Sequence, residues 1–266
     1  MEHSMTEHSN GAVTLDRPEH HLLVVTINRP NVHNSVNLEV ALGLAHAIRV
    51  SEEDPDIWTV VLTGRGGRAF CTGADLNVVA DGNLDQLFLP DGGFAGFVQA
   101  PRNKVWIAAV DGFALAGGFE IALACDMIIA TGQSVFGLPE VQRGLLASAG
   151  GVYRLSRKIP ANIANELIAT GDRLGCVRAH AFGLVNHIAE ANGALDAAIE
   201  LARKICENAP IAVRESLSIA RLSPDMTDEA LYALSQERQL LNMTTQDFAE
   251  GPRAFIEKRK PNWIGA

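Results

Sequence analysis

Short apolar runs that alternate with helical patterns, then a strand-free helical tail, predict an α/β fold. Three observations carry that expectation. Residues 105–110 and 127–130 are unbroken apolar runs, the first closed by Asp111-Gly112, as buried strands are. Between them Gly117-Gly118 bends the chain into Phe119, Ile121, Ala122, Leu123 and Ala124, enough for about two helical turns. From Asn192 onward only helical patterns remain, at 195–208, 210–222, 227–243 and 246–258, closed by Lys260-Pro261. The expected organisation is therefore a β/α core over 1–191 and a helical region over 192–266.

The remaining elements follow in order. Residues 13–17 and 22–27 flank Pro18-Glu19-His20-His21 and read as a hairpin. Asn28-Arg29-Pro30 stops the second strand, and Asn34-Ser35 starts a loop. That loop delivers a helix with Leu38, Ala41, Leu42, Ala45 and Ile48 at helical spacing. Residues 57–62 form the next buried strand, ending at Thr63-Gly64-Arg65-Gly66-Gly67. This turn has no G-x-x-x-x-G-K-[ST], and Ala69 stands where the last glycine of G-x-G-x-x-G would fall. It is a tight turn.

A short extended segment at 69–71 then runs into a small-residue loop and a possible helix. Gly73-Ala74 leaves little side chain over the backbone, so the Ala74 N–H is free to face a ligand. Residues 81–96 are rich in Gly and Asp and read as a mobile loop, with Leu84, Leu87 and Phe88 on one side. A small-residue stretch at 144–151 leads into 152–156. Pro160 suits the first turn of a helix reaching Thr170, with Gly171 as its stop. The last short strand is expected at 184–188.

Composition narrows the class of function. A hydrophobic content of 47% supports a sizeable core in 266 residues. A net charge of −9 argues against a nucleic-acid surface and supplies no basic patch for a membrane. Cys71, Cys125, Cys176 and Cys206 form no C-x-x-C pair and read as buried free thiols of a reducing compartment. His8, His20 and His21 read as surface residues, and His180 and His187 as surface or core residues near the last strand rather than a base. No metal-ligand spacing is present. The first ten residues are polar without an apolar signal core, and no run reaches transmembrane length. The expectation is a soluble, cytoplasmic protein.

One stretch can carry chemistry. The first N–H groups of the helix at Gly117 lack intrahelical acceptors, and the helix dipole favours negative charge there. Glu120 falls in that first turn, and Glu140 follows Pro139 twenty positions later. Taken singly, Glu120 is a dipole-complementing acid and Glu140 a solvated loop acid. Two carboxylates that flank a strand, one of them beside that helix start, together with a second glycine loop at 73–74, describe either a reaction centre or a coincidence. No G-x-S-x-G surrounds any serine, which disfavours a hydrolase.

At these residues the chain resembles the crotonase, or enoyl-CoA hydratase/isomerase, superfamily. The resemblance runs from Asn28-Arg29-Pro30 and Asn34-Ser35 through AFCTGADL (69–76), DGFALAGGFEIALACD (111–126) and FGLPEVQRGLLASAGG (136–151) to RAFIEKRKPNW (253–263). It implies stacked β-β-α turns forming a spiral with two roughly perpendicular sheets, and C-terminal helices used in a trimer or a dimer of trimers. It implies an acyl-CoA thioester substrate, with coenzyme A as part of the substrate and no separate cofactor. The backbone N–H groups of Ala74 and Gly117 would form the oxyanion hole. Ala69, Ala74, Asp75 and Leu76 would lie along the CoA, and Phe255 and Lys258 would approach it from a C-terminal helix.

Glu120 and Glu140 match both glutamates of the hydratases, with Glu120 assigned to activating water and Glu140 to the α-proton. Gly92 to Gly96, Gly118-Phe119-Glu120 and Pro160 to Glu166 resemble the carnitinyl-CoA dehydratase branch, a pattern shared with bacterial enoyl-CoA hydratases. Ala147-Ser148-Ala149 departs from the Pro-Gly-Ala or similar turn of many hydratases, and the resemblance implies that Ser148 alters the acyl pocket floor and with it the substrate preference. Three functions follow as alternatives: an enoyl-CoA hydratase, a carnitinyl-CoA dehydratase or other CoA lyase or isomerase, and a catalytically silent CoA-binding scaffold.

Overall fold

The computed structural model describes residues 11–266, so His8 and the polar N-terminal decapeptide lie outside the described residues. The chain divides into two compact units, the first ending at Ala202 and the second running from Arg203 to Ala266.

The first unit is a stack of strand–strand–helix turns. One sheet has six strands in the spatial order Val13–Glu19, Leu22–Ile27, Thr59–Gly64, Val105–Val110, Met127–Thr131 and His187–Ala189. Only its first pair is antiparallel; every later neighbour is parallel. Strands buried on both faces read as continuous apolar runs, and Leu22–Ile27 and Val105–Val110 are buried at every position. A second sheet orders Arg173–Gly175, Val135–Gly137, Phe113–Leu115 and Ala69–Cys71. The chain therefore steps from a strand of the first sheet to a strand of the second and then to a helix. Thr59–Gly64, Ala69–Cys71 and Leu76–Ala80 make one such turn; Val105–Val110, Phe113–Leu115 and Gly117–Ala124 make the next.

Asn34 joins these layers. It is fully buried, and its Oδ1 accepts the Arg29 N–H at 2.9 Å. Its Nδ2 donates to Arg65 O at 3.0 Å and Ala69 O at 2.7 Å. Its φ of +56° is one that asparagine tolerates better than most residues. The helix it introduces, Leu38–Glu53, is capped by Asn37 through the Val40 N–H.

Several expectations need correction. Residues 81–96 are a 3₁₀ turn at Leu84–Leu87 followed by a two-stranded hairpin, Phe88–Leu89 with Gly93–Phe94. Leu87 is buried whereas Leu84 and Phe88 are exposed, so the three do not share one side. The first hairpin continues through Glu19 and turns only at His20-His21, because Glu19 still pairs with Leu22 past an irregularity after Asp16. The last strand lies at His187–Ala189, where it adds to Met127–Thr131 as the sheet edge. Arg173–Gly175 and the helix Cys176–Ala181 had no signal, being too short for periodicity.

The second unit holds the helices Pro210–Leu222, Asp228–Asn242 and Gln246–Ile256. The tail after Ile256 folds back on the last of them. Asp247 accepts the N–H groups of Ile264 and Gly265, and Glu250 accepts that of Asn262 and the Arg259 guanidinium. Hydrogen bonds from Arg259 and then Arg253 hold the Glu250 carboxyl well below the usual carboxylate range. No residue of Asp228–Asn242 is buried.

Candidate active site

Three parallel neighbours of the second sheet bring the site together. Ala69–Cys71 and Val135–Gly137 both pair in parallel with Phe113–Leu115. The segments that follow, 72–75, 116–117 and 138–140, consequently leave the sheet together, at the carboxyl ends of these strands. Ligands gather at such carboxyl ends.

The helix Gly117–Ala124 starts through an unusual residue. Ala116 has φ +51° and ψ −132°, a conformation that costs about 1–3 kcal/mol in a non-glycine residue and clusters at functional sites. Its N–H donates to Gly137 O at 2.9 Å, and its carbonyl accepts from Phe119 and Glu120. The Gly117 N–H has no acceptor among the described residues and points out of the helix start.

The second donor comes from the neighbouring loop. Val36 N–H donates to Gly73 O at 2.8 Å, and Asp75 N–H donates to Val36 O at 2.9 Å. These bonds straddle Ala74 in a parallel bridge, so the Ala74 N–H faces away from Val36. Gly73 has φ +87°, and a Cβ on it would lie 2.8 Å from Gly117 N. The two loops thus approach within backbone contact, which only glycine permits at this point. A Cβ on Gly117 would in turn meet the Phe94 ring at 2.4 Å.

The acids stand on the helix that starts at Gly117 and on the third loop, close enough for the Glu140 charge to act on Glu120. Glu120 is only 3% exposed, and its Oε1 accepts the Gly151 N–H at 2.8 Å. Burial pushes its carboxyl up to about 7, against the pull of the Gly151 hydrogen bond and with reinforcement from the Glu140 charge. Glu140 lies on the 3₁₀ turn Pro139–Arg143 and is likewise raised, chiefly by burial. Its Oε2 is buried with no hydrogen-bond partner among the described residues. One carboxyl is therefore anchored by a backbone donor, while the other presents an open acceptor.

Other residues singled out from the sequence fall around this centre or away from it. Asp75 is buried; burial would raise its carboxyl, but hydrogen bonds from Arg29 and Asn77 outweigh that and hold it low. Arg29 Nη1 reaches Asp75 Oδ2 at 2.9 Å, which fixes the loop after Ala74. The Ala69 carbonyl is occupied by Asn34, and Leu76 is 73% exposed. Ser148 is exposed, between buried Ala147 and Ala149. Phe255, 84% exposed, and Lys258 stand on the second unit. The Cys71 thiol beside Gly73 is pushed up to about 12 by burial and is not a nucleophile.

Sequence reasoning missed Phe94 and Gly151. Both belong to glycine-containing stretches it had noticed, at 92–96 and 144–151, but nothing local tied either to Gly117 or Glu120. Among the described residues no group of three or more His, Cys, Asp or Glu could hold a metal ion, and no helix is long and apolar enough to cross a membrane.

A helix start and a glycine loop offering two N–H donors, with two raised carboxyls beside them, define a site for stabilising an oxyanion while moving protons. Comparisons with known proteins identify the family. The family model for enoyl-CoA hydratase/isomerase matches residues 17–266. An enoyl-CoA hydratase from Mycobacterium marinum superposes with a TM-score of 0.92 at 44% identity, covering 97% of this chain and 100% of that one. A carnitinyl-CoA hydratase from Mycobacterium avium gives 0.76 at 38% identity, covering 97% and 100%. Carnitinyl-CoA dehydratase of Proteus mirabilis is 36% identical over 249 residues, 92% of this chain and 95% of that protein. The chain belongs to the enoyl-CoA hydratase/isomerase family, the crotonase superfamily, and is similar to its carnitinyl-CoA dehydratase-like branch. It is an enzyme of that family, with the α/β fold and helical C-terminal region expected from the sequence.

Proposed function

We infer that this protein is an enoyl-CoA hydratase, adding water reversibly and syn to a trans-2-enoyl-CoA thioester to give the 3-hydroxyacyl-CoA. The observation that carries this reading is the pair of raised carboxyls, Glu120 buried and Glu140 with its Oε2 buried, together with two N–H donors at the carboxyl ends of neighbouring strands. Attack of water on the β-carbon moves charge onto the thioester oxygen, as an enolate-like state. The N–H groups of Ala74 and Gly117 receive that oxygen; losing one such donor costs ~3–4 kcal/mol. Glu120, ionised, takes a proton from the attacking water, and Glu140, protonated, delivers one to the α-carbon. Like charges disfavour ionising both acids together, so the resting pair holds one proton. The products balance: water supplies hydroxyl and proton, and the enzyme returns to its starting protonation after exchange between the acids and solvent.

The CoA lies along Ala69, Ala74, Asp75 and Leu76; Phe255, on the last helix, and Lys258, just past its end, are proposed as further CoA-binding residues. Copies of this chain associate as a trimer or a dimer of trimers. The helix Asp228–Asn242, with Tyr232 68% and Leu240 66% exposed, supports that association. The protein works in the cytoplasm, without a metal or separate cofactor.

A second reading, carnitinyl-CoA dehydratase, is supported by the identity to the Proteus mirabilis enzyme. One experiment separates the two. Purified protein is offered crotonyl-CoA, longer trans-2-enoyl-CoA esters and crotonobetainyl-CoA, and loss of the conjugated-thioester absorbance is followed. The hydratase reading expects crotonyl-CoA or a longer enoyl ester to be consumed fastest. Preference for crotonobetainyl-CoA selects the second reading, and inertness toward every ester leaves the silent scaffold.

A further inference from the structure

Arg154 is neither one of the two acids nor one of the two oxyanion positions, yet its side chain reaches both walls of the site. It lies on the helix Gly151–Lys158. Its Nη1 donates to Ala149 O at 3.0 Å and its Nη2 to Val98 O at 2.5 Å. Ala149 opens the turn that presents the Gly151 N–H to Glu120 Oε1. Val98 closes a turn on Phe94, donating its N–H to Phe94 O at 3.3 Å, and the Phe94 ring backs Gly117. One planar guanidinium therefore joins the backbone behind Glu120 to the backbone behind the oxyanion glycine, a span suited to a fork of fixed donors.

We propose that Arg154 is a positioning residue of this site: by tying Val98 O to Ala149 O it sets the Gly151 donor against Glu120 and the Phe94 ring against Gly117. The proposal rests on the hydratase reading for its kinetic consequences, though its geometry does not. No carboxylate among the described residues forms an ion pair with Arg154, so its charge is felt by the site. The charged groups that face Glu120 are Glu140, which raises it, and Arg154, which lowers it; Arg143 faces Glu140. Around Arg154 itself stand Lys158 and the neutral Cys125 thiol, with Arg102 and Asp126 beside that thiol. Tyr153 places its ring 5.1 Å under the guanidinium.

The experiment compares Arg154→Met and Arg154→Lys with wild type in two ways. In turnover of the best enoyl-CoA, Arg154→Met should lose roughly 10- to 100-fold in kcat at neutral pH, with KM within about threefold. The acid limb of its kcat profile should move upward by about half a pH unit or more, because the positive charge and the ordered donor are both gone. Arg154→Lys keeps the charge without spanning two carbonyls, so its limb should stay near wild type while kcat recovers only in part. Independently of turnover, ¹³C NMR of glutamate-labelled protein follows the Glu120 carboxyl, assigned by its disappearance in Glu120→Gln. That resonance should titrate at higher pH in Arg154→Met, whether or not any acyl-CoA is hydrated. If Arg154→Met does not fold, Arg154→Gln takes its place in the same titration. Glu120 titrating at one pH in wild type and in the charge-removing variant would overturn the proposal, as would a loss of rate explained wholly by fewer folded molecules. Failure of the hydratase reading shows instead as absent turnover in wild type with the NMR shift intact.

Discussion

Phe94 and Gly117 stand so close that a Cβ on the glycine would lie 2.4 Å from Cε1 of the ring. Phe94 is itself buried, paired with Phe88 at the open end of its hairpin, with the two ring centroids 5.5 Å apart. The ring therefore cannot simply swing away. Gly117→Val should abolish turnover of every acyl-CoA tested, because the helix start must shift and carry its N–H with it. A Phe94→Ala,Gly117→Ala double variant should recover part of the activity lost in Gly117→Ala alone. No recovery, in a protein that still binds CoA, would show that the loss does not arise from this contact.

The acids should act as a unit. Glu120→Gln and Glu140→Gln should each lower kcat by two or more orders of magnitude while leaving CoA affinity close to wild type. The double variant should lose far less than the product of the two effects. Near-wild-type hydration by either single variant contradicts the two-carboxylate mechanism.

Burial of Glu120 makes stability depend on pH. Its folded carboxyl is raised from 4.5 to about 7. A raised group favours the folded state while protonated, so that contribution is complete below about pH 4.5 and is lost as pH climbs through 7. Glutamine cannot ionise and keeps an acceptor for the Gly151 N–H. Thermal melts should therefore show Glu120→Gln gaining stability over wild type at pH 8, with little or no gain at pH 5. An equal difference at both pH values would mean that Glu120 is not the group being titrated.

The helical region makes a prediction about assembly. The helix Asp228–Asn242 buries none of its residues, and Leu241, Met243 and Ile256 are each at least half exposed. Sedimentation equilibrium at micromolar concentration should give a trimer or a hexamer, and Leu240→Asp with Leu241→Asp should shift it toward monomer. A wild-type monomer under those conditions removes the assembly from the reading.

Much of this protein was determined by the sequence alone, because the signals are local. Unbroken apolar runs marked 105–110 and 127–130 as buried strands, Pro160 and Gly171 bounded one helix, and the last four helices showed in their periodicity. Gly117-Gly118 with Glu120 three residues on was visible as a helix start beside an acid. The tertiary structure decided what those pieces face. Strand pairing of Ala69–Cys71, Phe113–Leu115 and Val135–Gly137 brings the segments of Ala74, Gly117 and Glu140 out at the same end of the sheet, and no local pattern encodes that register. Gly151, Phe94 and Arg154 reach the site from distant segments, through a backbone N–H, a ring edge and a guanidinium on two carbonyls. The raised carboxyl of Glu120 is likewise a property of the closed core, since it arises from water excluded by residues far along the chain.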